Sequence, residues 1–360
     1  MEEVVSQNKP INKIRKIILL LILLIGVNAV FFGIFYFSVD KTKLNNDKPV
    51  GSKQIASPTP FQFQEMTIPY LRARQYQSTL GKLDQATETS AYTGYLTSYD
   101  SDGFEINGYL TIPKGAEPEN GWPAIVFVHG YISPQTYRTL ENYSAFVDFL
   151  AKSGFVVFKI DLRGHGNSEG EAGGGYYSSD YIIDTLNARA ALQNSDFVNP
   201  NAIGLWGHSM AGNVISRALA AKPEIPAITI FAGAVYTYAD FLEFRIMDNS
   251  YQPQPTDSPS RTKRQQIFDK YGQFDPNSEF WKMVPMTNYL SDIKGAIQLN
   301  HALDDQVVDI GYSKNLNDLL NKTSIPHEFN EYPSGGHNFT GATFNRAMQN
   351  SVDFFKKYLR

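Results

Sequence analysis

The sequence predicts an α/β fold, a mostly parallel sheet with helices on both faces, and three observations carry that prediction. Short apolar runs, "PAIVFVHG", "FVVFKIDLRG", "AIGLWGHS", "AITIFAG", "AIQLNHA" and "HEFNEYP", recur from residue 123 onward. Most are continuous rather than alternating, as parallel strands covered on both faces should be. Segments with helical spacing lie between and after them, at residues 140–153, 181–193, 210–221, 310–321 and 343–358. Ahead of them, "YLTSYDSDGFEINGYLTIP" is two alternating runs around Asp102 and Gly103, the signal of a hairpin. An antiparallel hairpin followed by alternating β and α gives a sheet covered by helices.

From the N-terminus, residues 1–16 read as a cytoplasmic segment and residues 17–39, "IILLLILLIGVNAVFFGIFYFSV", as a transmembrane anchor. The stretch carries no charge, and as a helix it spans about 34 Å against a hydrocarbon core of about 30 Å. Large aromatics continue past the one plausible cleavage site, "VNA" at residues 27–29, so an uncleaved anchor fits better than a cleaved signal. Lys9, Lys13, Arg15 and Lys16 precede the span while Lys41 and Lys43 follow it, a balance that puts the N-terminus in the cytoplasm and the rest of the chain outside.

Residues 40–60, polar and broken by Pro, Gly and Ser, read as a linker. Residues 61–91 read as an extension packed on the domain edge, with a short strand at "EMTIPYL" and a polar helix after it. The main domain is residues 92–360. One interval in it, at about 235–290, breaks the rhythm and reads as a cap inserted over the sheet. Its aromatics, Tyr236, Tyr238, Phe241, Phe244, Phe280 and Trp281, either line a substrate pocket or form the cap's own core.

Composition removes several function classes. With 32 basic and 36 acidic residues, a net charge of −4 and no basic stripe interleaved with aromatics, nucleic acid is not an expected partner. The absence of cysteine excludes disulfides, thiolate metal sites and a cysteine nucleophile. There is no HExxH and no P-loop, and "GHGNSEG" puts Glu169 where a dinucleotide fingerprint needs its third glycine, so neither a metal nor a cofactor is expected. Of the glycosylation sequons at Asn142, Asn321 and Asn338, the last would place a glycan beside His337 and is discounted.

Ligands of an open α/β sheet bind beyond the carboxyl ends of its strands. The polar residues cluster there: His129, Gly130 and Tyr131; Asp161, Arg163, His165 and Glu169; Ser209; His301, Asp304 and Asp305; and His337. "GLWGHSMAG" has the form G-x-S-x-G of a strand-to-helix turn presenting a nucleophilic serine, except that Ala211 takes the fifth position and glycine comes one residue late, at Gly212. Ser209 follows an expected strand and opens an expected helix, and Gly207 and Ala211 are small enough for the two to approach.

A serine hydroxyl needs a base within about 2.6–3.2 Å, itself oriented by a third group. His337, after "PSGG", is the preferred base, giving the chain order serine, acid, histidine that this turn uses. Other roles suit the other histidines: His129 and His301 terminate strands, His165 braces a loop, His208 is trapped beside the serine and His327 opens a strand. Asp304 and Asp305 both offer the acid, Asp309 suits a helix cap, and composition does not choose between the first two. The backbone N–H groups of Tyr131 and Met210 would hold the oxyanion.

In sequence order, "VFVHGY", "DLRGHGNSEG", "GHSMAG", "HALDDQVV" and "SGGHNF" resemble the oxyanion strand, following loop, nucleophile turn, acid loop and histidine loop of the α/β-hydrolase superfamily, over about residues 92–360. Within it the chain looks most like the catalytic domain of the prolyl-oligopeptidase family of serine peptidases and its dienelactone-hydrolase-like relatives. That family's H-G-x-x-D-x-x-V maps from His301 onto Asp305 and Val308, with Ala302 for the glycine, which favours Asp305 as the acid. Where the family commonly shows H-G-G-P and G-x-S-Y-G-G, this chain has "HGYI" and "GHSMAG", forms more like those of esterase relatives.

Only about 50 residues separate the anchor from the hairpin, too few for the β-propeller that restricts the large peptidases, so prolyl specificity is not implied. With the anchor read at 17–39, the resemblance implies a membrane-anchored serine hydrolase with Ser209, Asp305 and His337 as its triad, acting on a small peptide. A carboxylesterase or dienelactone-hydrolase-like esterase is the alternative, and a non-catalytic binding module is a third reading.

Overall fold

The runs that read as strands pair into one sheet in the computed structural model, which describes residues 60–246 and 259–360. The expected anchor, and the linker up to residue 59, lie outside those residues. Among the described residues no helix is long and apolar enough to cross a membrane.

The sheet comprises β1 (Asp84–Glu88), β2 (Tyr92–Ser101), β3 (Phe104–Pro113), β4 (Trp122–Val128), β5 (Val156–Ile160), β6 (Val198–His208), β7 (Ala227–Phe231), β8 (Ala296–Ala302) and β9 (His327–Tyr332). The helices are α1 (Ile68–Ala73), α2 (Ser144–Lys152), α3 (Asp180–Gln193), α4 (Ala211–Ala221), α5 (Asp240–Glu243), α6 (Pro259–Tyr271), α7 (Glu279–Lys282), α8 (Gly311–Leu320) and α9 (Gly341–Tyr358). Strand order across the sheet is β1-β2-β3-β5-β4-β6-β7-β8-β9. β1 to β3 are antiparallel, β3 meets β5 antiparallel, and from β5 to β9 every pairing is parallel. This is the α/β-hydrolase architecture expected from the sequence.

Side chains alternate across the sheet and split the core into two layers. On β4, Ala124, Val126 and Val128 face α3, α4 and α8, whereas Ile125 and Phe127 face α2 and α9. Phe127 stacks on Trp206 with ring centroids 4.1 Å apart, and burying two such rings contributes about 1.5–3 kcal/mol each. Because β5, β7 and β8 are buried along their whole length, their sequences show no alternation.

The N-terminal extension departs from expectation. "EMTIPYL" is not a strand: Gln64–Met66 is a 3-10 turn and α1 follows. Thr67 Oγ1 accepts from Tyr70 N–H at 3.4 Å, Pro69 sits in the first turn where its missing N–H costs nothing, and Met66, Ile68 and Leu71 are fully buried along one side. The polar helix expected next is β1 instead. All five of its residues are exposed, so it has no apolar period, and backbone pairing to β2 defines it.

The Asp102 and Gly103 hairpin forms as read, both residues having positive φ (58° and 82°). α2 begins four residues later than the spacing predicts, because Tyr143 is left-handed (φ 61°) and ends the preceding turn. After β7 the insertion supplies α5, α6, α7 and a 3-10 turn, Met286–Asp292. Its Tyr238, Phe280 and Trp281, at most 4% exposed, pack with Phe274 as the cap's own core, while the buried Tyr236 puts its hydroxyl beside Gly212 and Gly233. Phe241 lies against Tyr176, and Phe244 against Tyr312.

Candidate active site

Ser209 sits at the turn from β6 into α4 with φ 57°, a left-handed conformation that costs a non-glycine residue about 1–3 kcal/mol. Its N–H donates to Phe231 O at 2.9 Å and its carbonyl accepts from Gly212 N–H at 2.9 Å, so the turn is fixed from both sides. A Cβ on Gly207 would lie 2.9 Å from Ala211 O, and one on Gly212 would lie 2.8 Å from Gly233 Cα in the loop after β7. The methyl of Ala211 is fully buried. The late glycine therefore meets a contact with the neighbouring strand's loop, while position 211 has room for a methyl.

Met210 caps α4, whose first turn leaves N–H groups outside the helical ladder. Tyr131 lies in the loop after β4, and β4 pairs with β6 as far as Val128 with Gly207, so the two expected oxyanion donors leave adjacent strand ends. Gly130 reaches the serine turn: its N–H donates to Tyr143 Oη at 3.1 Å, and a Cβ there would be 3.0 Å from His208 O.

Asp305 and His337 meet on the loops after β8 and β9. His337 Nδ1 and Asp305 Oδ2 are 2.8 Å apart, with the histidine side chain 12% exposed and the carboxylate 1%. The other oxygen of Asp305 accepts from Val307 N–H (2.8 Å) and Val308 N–H (3.0 Å), and His301 Nε2 lies 3.3 Å from Oδ2. Burial alone would raise this carboxyl. The hydrogen bonds from His301 and His337, the charge of His337 and the Val308 N–H outweigh it and hold Asp305 well below the usual carboxylate range.

Asp304, its neighbour, faces outward and accepts from Gly336 N–H at 2.8 Å and Gly335 N–H at 3.3 Å, clamping the loop that carries His337. Asp309 accepts from Gly311 N–H at 2.7 Å, the start of α8, as a capping residue does. Two residues past His337, Phe339 is buried against Phe231 and anchors the loop over the sheet edge. Ser209 is half-buried, and among the described residues its Oγ makes no hydrogen bond, His337 included. Such bonds commonly tighten only when substrate binds.

The family model for the prolyl oligopeptidase family matches residues 141–360. The chain belongs to the prolyl oligopeptidase family. An uncharacterized protein of Salmonella typhi, YfhR, is 26% identical over 131 residues, 36% of this chain and 42% of its own. The match thus spans about two fifths of that curated relative's length. Acetyl xylan esterase 1 from Thermoanaerobacterium sp. superposes with a TM-score of 0.55 at 20% identity, covering 82% of this chain and 94% of that one. A puromycin-hydrolyzing peptidase of Mycobacterium tuberculosis gives 0.57 at 19% identity, covering 76% of this chain and 40% of that one. At these identities the superpositions show the α/β-hydrolase fold.

Sequence reasoning passed over three contacts in this family member's site. His208, set aside as trapped beside the serine, is 2% exposed; its Nε2 lies 2.8 Å from His337 O and its Nδ1 2.7 Å from Tyr143 Oη. Burial, reinforced by the charge of His337, pushes the His208 ring down to about 3. His301, whose Nε2 lies 3.0 Å from Val308 O and 3.3 Å from Asp305 Oδ2, was assigned only to ending a strand. Arg163, one of the polar residues after β5, turns away to a bidentate pair with buried Asp184. No sequence signal distinguishes these roles, because each depends on a partner more than 20 residues away or on ring orientation.

Proposed function

We propose that this serine hydrolase works through a covalent acyl-enzyme, with Ser209 as nucleophile, His337 as base and Asp305 as orienting acid. The carrying observation is the Asp305–His337 pair at 2.8 Å, two strands from a serine held in a left-handed strand-to-helix turn. Ser209 Oγ attacks the substrate carbonyl carbon while its proton passes to His337 Nε2. Asp305, already bonded to Nδ1, fixes the tautomer that leaves Nε2 free to accept and stabilises the resulting imidazolium. The oxyanion is held by the N–H groups of Met210 and Tyr131. His337 returns the proton to the leaving amine or alcohol, and water repeats the sequence on the acyl-serine.

The bond cleaved is a peptide bond in a small substrate, a reading supported by the family match over residues 141–360. A short ester is the second reading. It is favoured by coverage: the chain aligns with 94% of an acetyl xylan esterase but 40% of a puromycin-hydrolyzing peptidase. The uncharged stretch at 17–39 supports a single-pass anchor with the catalytic domain outside the cytoplasm.

Fluorophosphonate labelling of the full chain is expected to be strong and to vanish in Ser209→Ala; folded Ser209→Ala that still labels would overturn the nucleophile. A panel of aminoacyl arylamides and short-chain aryl esters, ranked by kcat/KM, decides between peptide and ester. A reporter fused after Arg360 that is active only in the cytoplasm would contradict the orientation.

A further inference from the structure

We propose that His208, acting with Tyr143, is a positioning residue of the reaction, tying the backbone of the base His337 to the backbone of the oxyanion loop. The inference rests on the triad reading above and extends it to two residues outside the triad.

The direction of every bond in this chain is forced. His337 O can only accept, so His208 Nε2 carries the hydrogen across 2.8 Å. A neutral imidazole then has its lone pair at Nδ1, so the Tyr143 hydroxyl, 2.7 Å away, must donate to it. That leaves the hydroxyl oxygen to accept from Gly130 N–H at 3.1 Å. The ring is buried and neutral, so the single orientation persists at ordinary pH. Gly130 immediately precedes Tyr131, the proposed oxyanion donor, and a Cβ on Gly130 would come within 2.8 Å of Tyr143 Oη and 3.2 Å of His208 Nδ1. A side chain at that position would displace the link.

The need for an anchor is visible on the other side. His337 follows Gly335 and Gly336, both at positive φ (140° and 61°), residues that give a loop little stiffness of its own. Asp304 holds the N–H groups of these two glycines, Asp305 holds the ring of His337, and His208 holds its carbonyl. The rings of His208 and His337 lie 4.5 Å apart, so the anchor is also a wall for the base. Packing alone would be served by an apolar residue at 208 and by phenylalanine at 143. Neither would supply a donor to His337 O or a hydroxyl with two partners.

The test uses purified full-length chain carrying His208→Leu, His208→Gln, Tyr143→Phe and the Tyr143→Phe/His208→Gln double change, beside Ser209→Ala. His208→Leu is expected to lower kcat about 100-fold and Tyr143→Phe about tenfold with KM within about twofold, since misplacing a catalytic group by an ångström costs on that order. His208→Gln, whose amide can still donate to His337 O, should recover about tenfold over His208→Leu, and the double change should be less than multiplicative. Thermal unfolding of each variant, and Tyr143→Phe with its ring packing retained, separate these effects from loss of fold.

Wild-type kcat in folded His208→Leu and Tyr143→Phe, or no recovery in His208→Gln, overturns the positioning role while Ser209→Ala remains inactive. Full activity in Ser209→Ala overturns the triad reading, and the positioning role with it.

Discussion

Asp304 and Asp305 are adjacent in the chain yet face different partners. The peptide turn after β8 sends Asp305 inward to His337 Nδ1 and two backbone N–H groups, and Asp304 outward to Gly335 and Gly336. Residue type alone left the pair unresolved, because orientation, not chemistry, distinguishes them; only the resemblance to the family's H-G-x-x-D-x-x-V, mapped from His301, pointed to Asp305. Asp305→Asn should present His337 with the wrong tautomer and lower kcat by about 10³- to 10⁴-fold with the fold intact. Asp304→Ala releases two bonds of an exposed loop and should cost less than about tenfold, an effect of order 1 kcal/mol. Steady-state kinetics on the pair of variants checks the assignment, and reversed sensitivities would transfer the acid role to Asp304. At the nucleophile turn, Gly212→Ala places a methyl 2.8 Å from Gly233 Cα and should destabilise by about 1–3 kcal/mol in chemical denaturation, whereas Ala211 already carries its methyl without penalty.

Elements were legible where one force dominated. The continuous apolar runs became β4 to β8, and the stretch read as helical at 181–193 is α3 within one residue, because burial on the sheet decides both. Legibility failed where backbone or a distant side chain decided. β1 has no buried residue to mark it, α1 depends on a Thr67 cap and Pro69, and α2 is shortened by a left-handed Tyr143 whose hydroxyl is bound 65 residues away at His208.

α3 shows the same limit in its interior, since Asp184, fully buried, belongs there only because Arg163 reaches it with Nε at 3.0 Å and Ser101 Oγ donates at 2.7 Å. Burial raises the Asp184 carboxyl, and the Arg163 bonds oppose that shift. Asp184→Ala strands a guanidinium that is 7% exposed, and the expected loss is about 3–5 kcal/mol. Urea denaturation reads it. A loss below about 1 kcal/mol would mean that Asp180, 3.7 Å from Arg163, takes over the pairing.

For the molecule as a whole, the same burial that sets the site makes stability depend on pH. His129 and His208 are fully buried, and burial lowers both below their ordinary value of 6.5. Their bonds agree with neutral rings: His129 Nδ1 donates to Gly130 O at 2.7 Å, its Nε2 having no partner among the described residues, and His208 donates and accepts once each. His165 is also lowered by burial, but both its nitrogens face carbonyls, and those bonds oppose the shift, so its contribution in the same direction is smaller. Below pH 6.5 each neutral ring takes up a proton on unfolding, the unfolded chain binds more protons, and stability falls as pH falls. Asp305, held low, adds a loss in the same direction only below its unfolded value of 3.8, while Asp161 and Asp184, raised by burial, act with the opposite sign from 3.8 up to their raised values in the fold. Between about pH 7.5 and 5.5 the two histidines contribute about 1.4 kcal/mol per ring, or about 3 kcal/mol together. Denaturation curves across that interval should show this loss, and His129→Phe, which keeps a ring packed about 4.6 Å from Tyr137, should remove about half of it. An unchanged slope in His129→Phe would show that the ring is already protonated in the fold.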